Sequence, residues 1–118
     1  MGYISHAHSL GQLSGDGFYT KKCHTWLEKN LDAKKAFLTT SCTSALEMMT
    51  MLIDIEPGDE VIMPSFNFPS TANAVVLRGG IPIFVDIRPD TLNINEKLIE
   101  EAITPKTKAI FVVHYSGV

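Results

Sequence analysis

Short, continuous apolar runs alternate with helix-like segments along this chain, and that alternation constrains the fold most. A run that is apolar at nearly every residue predicts a strand buried on both faces, as in a parallel sheet covered by helices. We therefore expect an α/β fold of three layers around a mostly parallel sheet of about four strands. The predicted strands are Lys35–Leu38, Glu60–Met63, Ile81–Val85 and Ala109–His114.

Helical patterns fill the segments between these runs. Apolar side chains recur at helical spacing in Phe18–Leu31, which predicts an amphipathic helix. The composition of Ser44–Ile53 also favours a helix, and Ser44 with Glu47 fits a capping box at its start. The other predicted helices are residues 3–10, Pro69–Leu77 and Asn95–Ile103.

Size and charge exclude several function classes. A length of 118 residues predicts one domain. The formal net charge of -3 and the lack of a basic stripe argue against a nucleic-acid partner. No apolar run reaches the roughly 18 residues of a membrane span, and the N-terminus lacks a signal-peptide pattern. Cys23 and Cys42 form no disulfide framework or metal-ligand spacing, so we expect a cytoplasmic protein without a metal.

The strongest candidate site lies where an apolar run passes through small residues, Thr39–Ser44, into a helix. The first N–H groups of a helix have no partners within the helix, and together with the helix dipole they can bind a phosphate. The hydroxyls of Ser41, Thr43 and Ser44 can add hydrogen bonds. The alternative is an ordinary helix cap that binds nothing. Because the turn lacks the dinucleotide and nucleoside-triphosphate motifs, those ligands are not indicated.

Two further segments follow predicted strands, at the sheet edge where α/β proteins bind ligands. Phe66 and Phe68 flank an asparagine after the second strand, and either ring could stack on a planar ligand. They could equally pack over the sheet. His114 ends the last predicted strand and is either a ligand contact, an acid–base group or a structural histidine.

Taken together, these segments resemble the sugar aminotransferases of the DegT/DnrJ/EryC1/StrS family over about residues 3–118. Within that family, Gly15–Cys23 and Leu77–Gly80 are most similar to the dTDP-4-amino-4,6-dideoxygalactose transaminases of surface-polysaccharide synthesis, including common antigen and lipopolysaccharide-type polymers. The segments that carry the family resemblance, in order, are Ser41–Glu47, Pro57–Ala74, Phe84–Ile94, Ile103–Ile110 and Val113–Gly117.

The resemblance implies the large domain of the aspartate-aminotransferase fold, which is fold type I, and pyridoxal phosphate as cofactor. It implies that Cys42 and Thr43 bind the cofactor phosphate and that Phe68 stacks on the pyridine ring. His114 is expected near the cofactor, without a defined step. The residues expected near a nucleotide-sugar substrate are Ser14, Gly15, Asp16 and Gly17.

The resemblance also implies a Schiff-base lysine and an acidic partner for the pyridinium nitrogen, both in a part of the family pattern beyond Val118. We therefore expect residues 1–118 to be a single truncated domain, the N-terminal part of the large domain without the small C-terminal domain. We expect the chain to be inactive alone and to bind pyridoxal phosphate weakly or not at all. The alternative is a free-standing, non-catalytic remnant that serves as a binding or oligomerisation module.

The family's strand order implies exposed edges in this sheet. The second, third and fourth strands are expected to pair in the order 3-2-4, which leaves the strand Lys35–Leu38 without its usual neighbours. It would then either close onto the fourth strand, in the order 1-4-2-3, or exposed edges would pair between copies. A homo-oligomer formed through sheet edges is therefore expected.

Overall fold

A computed structural model describes residues 2–117 and divides them into two compact units. The first unit ends at Thr40 and the second begins at Ser41. Among the described residues, no helix is both long and apolar enough to cross a membrane.

The first unit contains the two helices that the sequence predicts, α1 (Gly2–Ser9) and α2 (Phe18–Asn30). His6 on α1 contacts α2 through a hydrogen bond, with its Nδ1 3.0 Å from the Tyr19 hydroxyl oxygen. The rings of Tyr3 on α1 and Tyr19 on α2 meet edge to face, with centroids 5.6 Å apart. Aromatic packing therefore joins the two helices.

The prediction of a first strand at Lys35–Leu38 is wrong, because this segment does not form a strand. Its backbone bonds to side chains of α2 instead of to a neighbouring strand. Ala36 N donates to Glu28 Oε1 (3.3 Å), and Leu38 N donates to His24 Nε2 (2.9 Å). Residues 2–117 therefore form three strands instead of the four expected, and their sheet does not have the order 1-4-2-3.

The second unit is a three-stranded parallel sheet with helices on both sides. The strand order is β2-β1-β3, so the pairing predicted for the second, third and fourth runs is confirmed. A 3-10 turn at Glu96–Leu98 leads into the last helix. The elements are α3 (Cys42–Leu52), β1 (Glu60–Pro64), α4 (Ser70–Val76), β2 (Ile81–Val85), α5 (Ile99–Ala102) and β3 (Thr107–Ile110).

The last strand is shorter than the sequence predicts. β3 ends at Ile110, although Phe111 N still donates to the Ile62 carbonyl oxygen at 2.8 Å. The prediction that the strand runs to His114 is therefore wrong, and His114 lies in the segment that follows.

Alternating side chains of β1 form two cores, one on each face of the sheet. Val61 and Met63 pack with Ile55 and Val75 on the side of α3 and α4. Ile62 packs on the opposite side in a cluster that α5 also contacts. Because both faces of the central strand are fully buried, the sheet lies between two layers of helices. The predicted three-layer α/β fold is confirmed.

Candidate functional site

The helix α3 begins earlier than the sequence predicts, because Ser41 caps it. Ser41 has extended backbone angles (φ -159°, ψ 161°), and its Oγ accepts a hydrogen bond from Ser44 N at 3.1 Å. Its carbonyl oxygen accepts from Ala45 N, also at 3.1 Å. The predicted capping box of Ser44 and Glu47 is therefore wrong, since Ser44 lies inside the first turn. A serine three residues upstream fills the capping role.

This cap leaves two backbone donors at the start of α3. Ser44 N and Ala45 N are bonded to Ser41. Within the part of the chain that the structure describes, no hydrogen bond involves the N–H groups of Cys42 and Thr43. Both residues are exposed, so the Thr43 hydroxyl lies beside these donors at the surface. Two free N–H groups, a hydroxyl and the positive end of an 11-residue helix match the needs of a phosphate group.

A hollow beside α3 brings the phosphate-type turn close to α4. It has a volume of about 240 Å³, and Thr43 lies at its rim together with residues of both helices. Ser70, the first residue of α4, lines the same hollow and follows Phe68 by two positions. Thr43 and the first residue of α4 therefore line one depression. Its remaining lining residues are Glu47, Asn73, Val76 and Leu77.

The loop after β1 presents its two aromatic rings differently. Phe68 is 75% exposed, whereas the Phe66 ring packs against Tyr115 with a centroid distance of 4.8 Å and a tilt of 52°. Asn67 holds the loop closed, since its Nδ2 donates to the Pro64 carbonyl oxygen. Of the two phenylalanines, Phe68 thus has the freer ring face for a planar ligand. Its predicted stacking role stays a prediction.

The segment after β3 reaches the same edge of the sheet. The Phe66–Tyr115 ring contact joins the ends of β1 and β3, and Tyr115 N donates to Asn93 Oδ1 at 2.8 Å. Asn93 belongs to the hairpin after β2, which is closed by an antiparallel bridge between Ile87 and Ile94. Three segments that follow three strands therefore meet, as the sheet topology predicts.

Sequence reasoning did not identify Asn93 as part of this edge. The available signal was an asparagine just before the apolar Ile94. His114 itself is exposed, and its carbonyl oxygen accepts from Gly117 N at 3.1 Å. Its predicted place near a cofactor stays a prediction.

The predicted substrate loop belongs to the first unit. Ser14 and Gly17 line a hollow of about 200 Å³, next to the start of α2. Gly15 and Asp16 are exposed, and Asp16 has a left-handed backbone (φ 57°). The structure describes this turn within its own unit, so its role toward a sugar stays a prediction.

One charged cluster near the site has a structural explanation. The Arg88 guanidinium forms two hydrogen bonds to the Asp90 carboxylate (2.7 and 3.0 Å) and a third to Glu96 Oε1 (3.3 Å). Hydrogen bonding and the opposite charge of Asp90 raise the Arg88 pKa further above its usual value. The same hydrogen bonds lower the pKa of Asp90. Because two carboxylates already neutralise the arginine, this cluster is a poor anion site.

Comparison with known proteins agrees with the fold. The profile of the DegT/DnrJ/EryC1/StrS aminotransferase family matches residues 2–118. The 3-oxo-glucose-6-phosphate:glutamate aminotransferase of Bacillus subtilis (strain 168) is 44% identical over 101 residues, which cover 86% of this chain and 23% of that protein. The chain thus spans about a quarter of this relative.

Two solved structures share the fold of this chain, and the chain again covers about a quarter of each. The crystal structure of ntda from Bacillus subtilis with bound cofactor PMP is 40% identical and superposes with a TM-score of 0.83, covering 97% of this chain and 26% of that one. The PLP-form of the putative sugar aminotransferase Spr1654 from Streptococcus pneumoniae is 35% identical, with a TM-score of 0.74, covering 83% and 26% of the two chains. The predicted fold type I architecture is confirmed. The chain belongs to the DegT/DnrJ/EryC1/StrS aminotransferase family.

Proposed function

We propose that this chain contributes the phosphate-binding turn and a ring-stacking face to a pyridoxal-phosphate-dependent sugar aminotransferase. The observation that carries the proposal is the pair of N–H donors that the Ser41 cap leaves at Cys42 and Thr43. Thr43 also lines one hollow with Ser70, the first residue of α4. Pyridoxal phosphate, when bound, supplies the electron sink that amino-group transfer requires. The residues of this chain would bind and orient it.

Each proposed contact has a defined chemistry. The N–H groups of Cys42 and Thr43 and the Thr43 hydroxyl would donate to the phosphate oxygens, and such charge-assisted hydrogen bonds are stronger than neutral ones. The exposed face of Phe68 would cover the pyridine ring, a contact worth roughly 0.5–1.5 kcal/mol beyond the area buried.

Lys106 and Lys108 of the second unit lie at the end of β1 opposite to this edge. The Lys106 carbonyl oxygen accepts from Glu60 N at the amino end of β1, and Lys108 Nζ is 3.9 Å from Asp59 Oδ2. The first and last Cα atoms of a five-residue strand such as β1 are about 13 Å apart. Lys97 lies in the 3-10 turn before α5. We therefore propose that the 118-residue chain alone does not transaminate and binds pyridoxal phosphate weakly.

For the substrate we propose a phosphorylated or nucleotide-activated keto sugar, in particular a dTDP-4-keto-6-deoxyhexose used in surface-polysaccharide synthesis. The similarity of Gly15–Cys23 to the dTDP-4-amino-4,6-dideoxygalactose transaminases supports a nucleotide sugar as the substrate. The name of the Bacillus subtilis relative, which specifies a 3-oxo-glucose 6-phosphate, supports a simple sugar phosphate instead. NMR titrations with dTDP and with glucose 6-phosphate distinguish the two substrate classes. Only the ligand of the class that the chain binds should shift the amide signals of Ser14–Gly17.

We also propose that copies of the chain associate through the sheet. Among the described strands, β2 and β3 each have one side without a strand partner. Phe84 on β2 is 55% exposed and Ile110 on β3 is 40% exposed, and exposed apolar edges favour pairing with other chains. This observation also supports the second candidate function, a non-catalytic oligomerisation module. Sedimentation equilibrium should show a mass above that of one chain.

The central test is an amide-resolved NMR titration with inorganic phosphate and with pyridoxal phosphate. Both ligands should shift the amides of Cys42 and Thr43 at millimolar concentrations, and only pyridoxal phosphate should also shift Phe68. Thr43→Val should weaken binding by roughly tenfold, the effect of losing one hydrogen bond to a charged group.

The matched control is Thr50→Val on the same helix. Thr50 is fully buried and its hydroxyl donates to the Glu47 carbonyl oxygen, so this variant should leave phosphate affinity unchanged. No response at Cys42 and Thr43 would contradict the proposal. A stable visible absorbance band with pyridoxal phosphate, abolished by replacing one lysine, would contradict the proposed inactivity of the chain.

A further inference from the structure

Three residues from three segments form a continuous set of contacts behind the exposed Phe68. Asn93 Oδ1 accepts a hydrogen bond from Tyr115 N at 2.8 Å. The Tyr115 ring packs on Phe66, with centroids 4.8 Å apart. Phe66 lies two residues before Phe68 on the same loop. We refer to the Asn93–Tyr115 hydrogen bond and the Tyr115–Phe66 ring contact as the bracing contacts.

We propose that Asn93 is a positioning residue, which holds the loop of Phe68 in place through the bracing contacts. This inference rests on the proposed function, since it assigns Asn93 to the ring-stacking part of that site. Asn93 acts through Tyr115 and Phe66.

The physical need for such bracing follows from the exposure of Phe68. Its side chain is 75% exposed, so little of its own packing fixes the ring. The loop is anchored at its start, where Ser65 N donates to the Val85 carbonyl oxygen at 2.8 Å. Phe66 is the next side chain that can restrain the loop, and it is itself 42% exposed. The contact with Tyr115 therefore adds a side-chain restraint to those that the Asn67–Pro64 hydrogen bond and the Thr71 N–Phe68 carbonyl hydrogen bond give the loop.

The hairpin that carries Asn93 is suited to hold Tyr115. The Asn93 carbonyl oxygen accepts from Arg88 N at 2.9 Å, and Arg88 is bonded in turn to Asp90 and Glu96. The neighbouring Ile94 is buried, at 6% exposure, in the core on the α5 side of the sheet. The backbone of Asn93 is thus fixed on both sides, and its amide oxygen is a rigid acceptor.

The test uses a pair of substitutions at Asn93. Asn93→Leu keeps a similar volume but removes the acceptor, whereas Asn93→Asp keeps an oxygen at the same place. In Asn93→Leu, the Tyr115 amide should exchange with solvent roughly 5- to 10-fold faster, relative to the core amide of Ile62. The backbone order parameter of Phe68 should fall from the rigid range, about 0.85, toward 0.6. Asn93→Asp should restore both values.

Asn95→Ala is the matched control. Asn95 Oδ1 accepts from Lys97 N at 3.2 Å and caps the 3-10 turn, so this variant loses a comparable hydrogen bond close by. It should leave Tyr115 exchange, measured against Ile62, and Phe68 order unchanged.

Each outcome bears on the inference directly. If the Tyr115 amide exchanged with solvent at an unchanged rate in Asn93→Leu, the proposed role of the Asn93–Tyr115 hydrogen bond would be contradicted. Faster exchange with an unchanged order parameter at Phe68 would overturn the positioning role, and so would an equal effect of Asn95→Ala. None of these readouts requires a bound ligand, so they are independent of the phosphate titration that tests the proposed function.

Discussion

Replacing Gly80 by alanine should destabilise the second unit by about 1–2 kcal/mol, because the site has no room for a methyl group. Gly80 is buried at the start of β2, between α4 and the end of the α3 segment. A Cβ at this position would lie 2.7 Å from Val75 Cγ1 and 2.8 Å from Ile55 Cγ2. Carbon atoms normally pack roughly 3.5–4.0 Å apart, so each contact is too short by about 0.7 Å or more.

The neighbouring side chains cannot turn away to relieve the overlap. Val75 and Ile55 are at most 1% exposed, and both are β-branched, so their χ1 angles are stiff. Overpacking of this kind costs roughly 1–3 kcal/mol. Replacing glycine also reduces the entropy of the unfolded chain, which returns about 0.4–1 kcal/mol. Subtracting this entropic gain from the cost of overpacking gives the expected loss of about 1–2 kcal/mol in the free energy of unfolding.

Urea unfolding followed by the exchange-protected amides of β1 measures this loss. The decisive comparison is the same substitution in a Val75→Ala background, where the closest clashing methyl group is absent. There Gly80→Ala should cost less, and the difference between backgrounds is the coupling of the two sites. Gly15→Ala is a control at an open position with nothing within 4 Å of the added Cβ. A cost below about 0.5 kcal/mol at Gly80, the usual range for surface changes, would refute the steric reasoning, as would an equal cost in both backgrounds.

Three further results are expected. Ser41→Ala should lower the free energy of unfolding by about 1 kcal/mol through loss of the α3 cap, whereas Ser41→Asp should retain most of it, as urea titration can show. Ile62→Ala should cost roughly 2–5 kcal/mol, because Ile62 is fully buried in the core on the α5 side of the sheet; a Tm within error of the parent would contradict that. Hydrogen bonding to Arg88 lowers the Asp90 pKa in the folded chain. The pair therefore adds a small stabilisation of the fold at pH values above the unfolded Asp pKa of about 3.9. This stabilisation is lost as the pH falls through the lower pKa of the folded chain. NMR titration should find a higher Asp90 midpoint in Arg88→Gln.

Some elements were predictable because local signals agree with the packing. Continuous apolar runs marked Glu60–Met63 and Ile81–Val85, and both form strands within a residue of the predicted bounds. Lys35–Leu38 shows why such a run is not sufficient. Its N–H groups bond to side chains of α2, and Phe37 is 62% exposed, so an apolar sequence became an irregular segment without a neighbouring strand.

Helix caps were harder to locate than helices. Ser41, Thr43 and Ser44 all carry hydroxyls that can cap a helix, and the spacing to Glu47 favoured Ser44, which is not the cap. The extended backbone at Ser41 decided the matter, since only a residue outside the helix can point its oxygen back at the N–H three positions on. The consequence reaches the site, because the cap position determines which N–H groups stay available to an anion.

The sequence by itself determined the layered α/β architecture, the presence of a helix after the small residues Thr39–Ser44, and the family, because these depend on local composition and on the order of motifs. The tertiary structure decided which aromatic of the β1 loop is exposed and which is braced. Phe66, Asn93 and Tyr115 are far apart in the chain and meet only because β2 and β3 both pair with β1. Contacts of that kind depend on strand order, which no local pattern specifies.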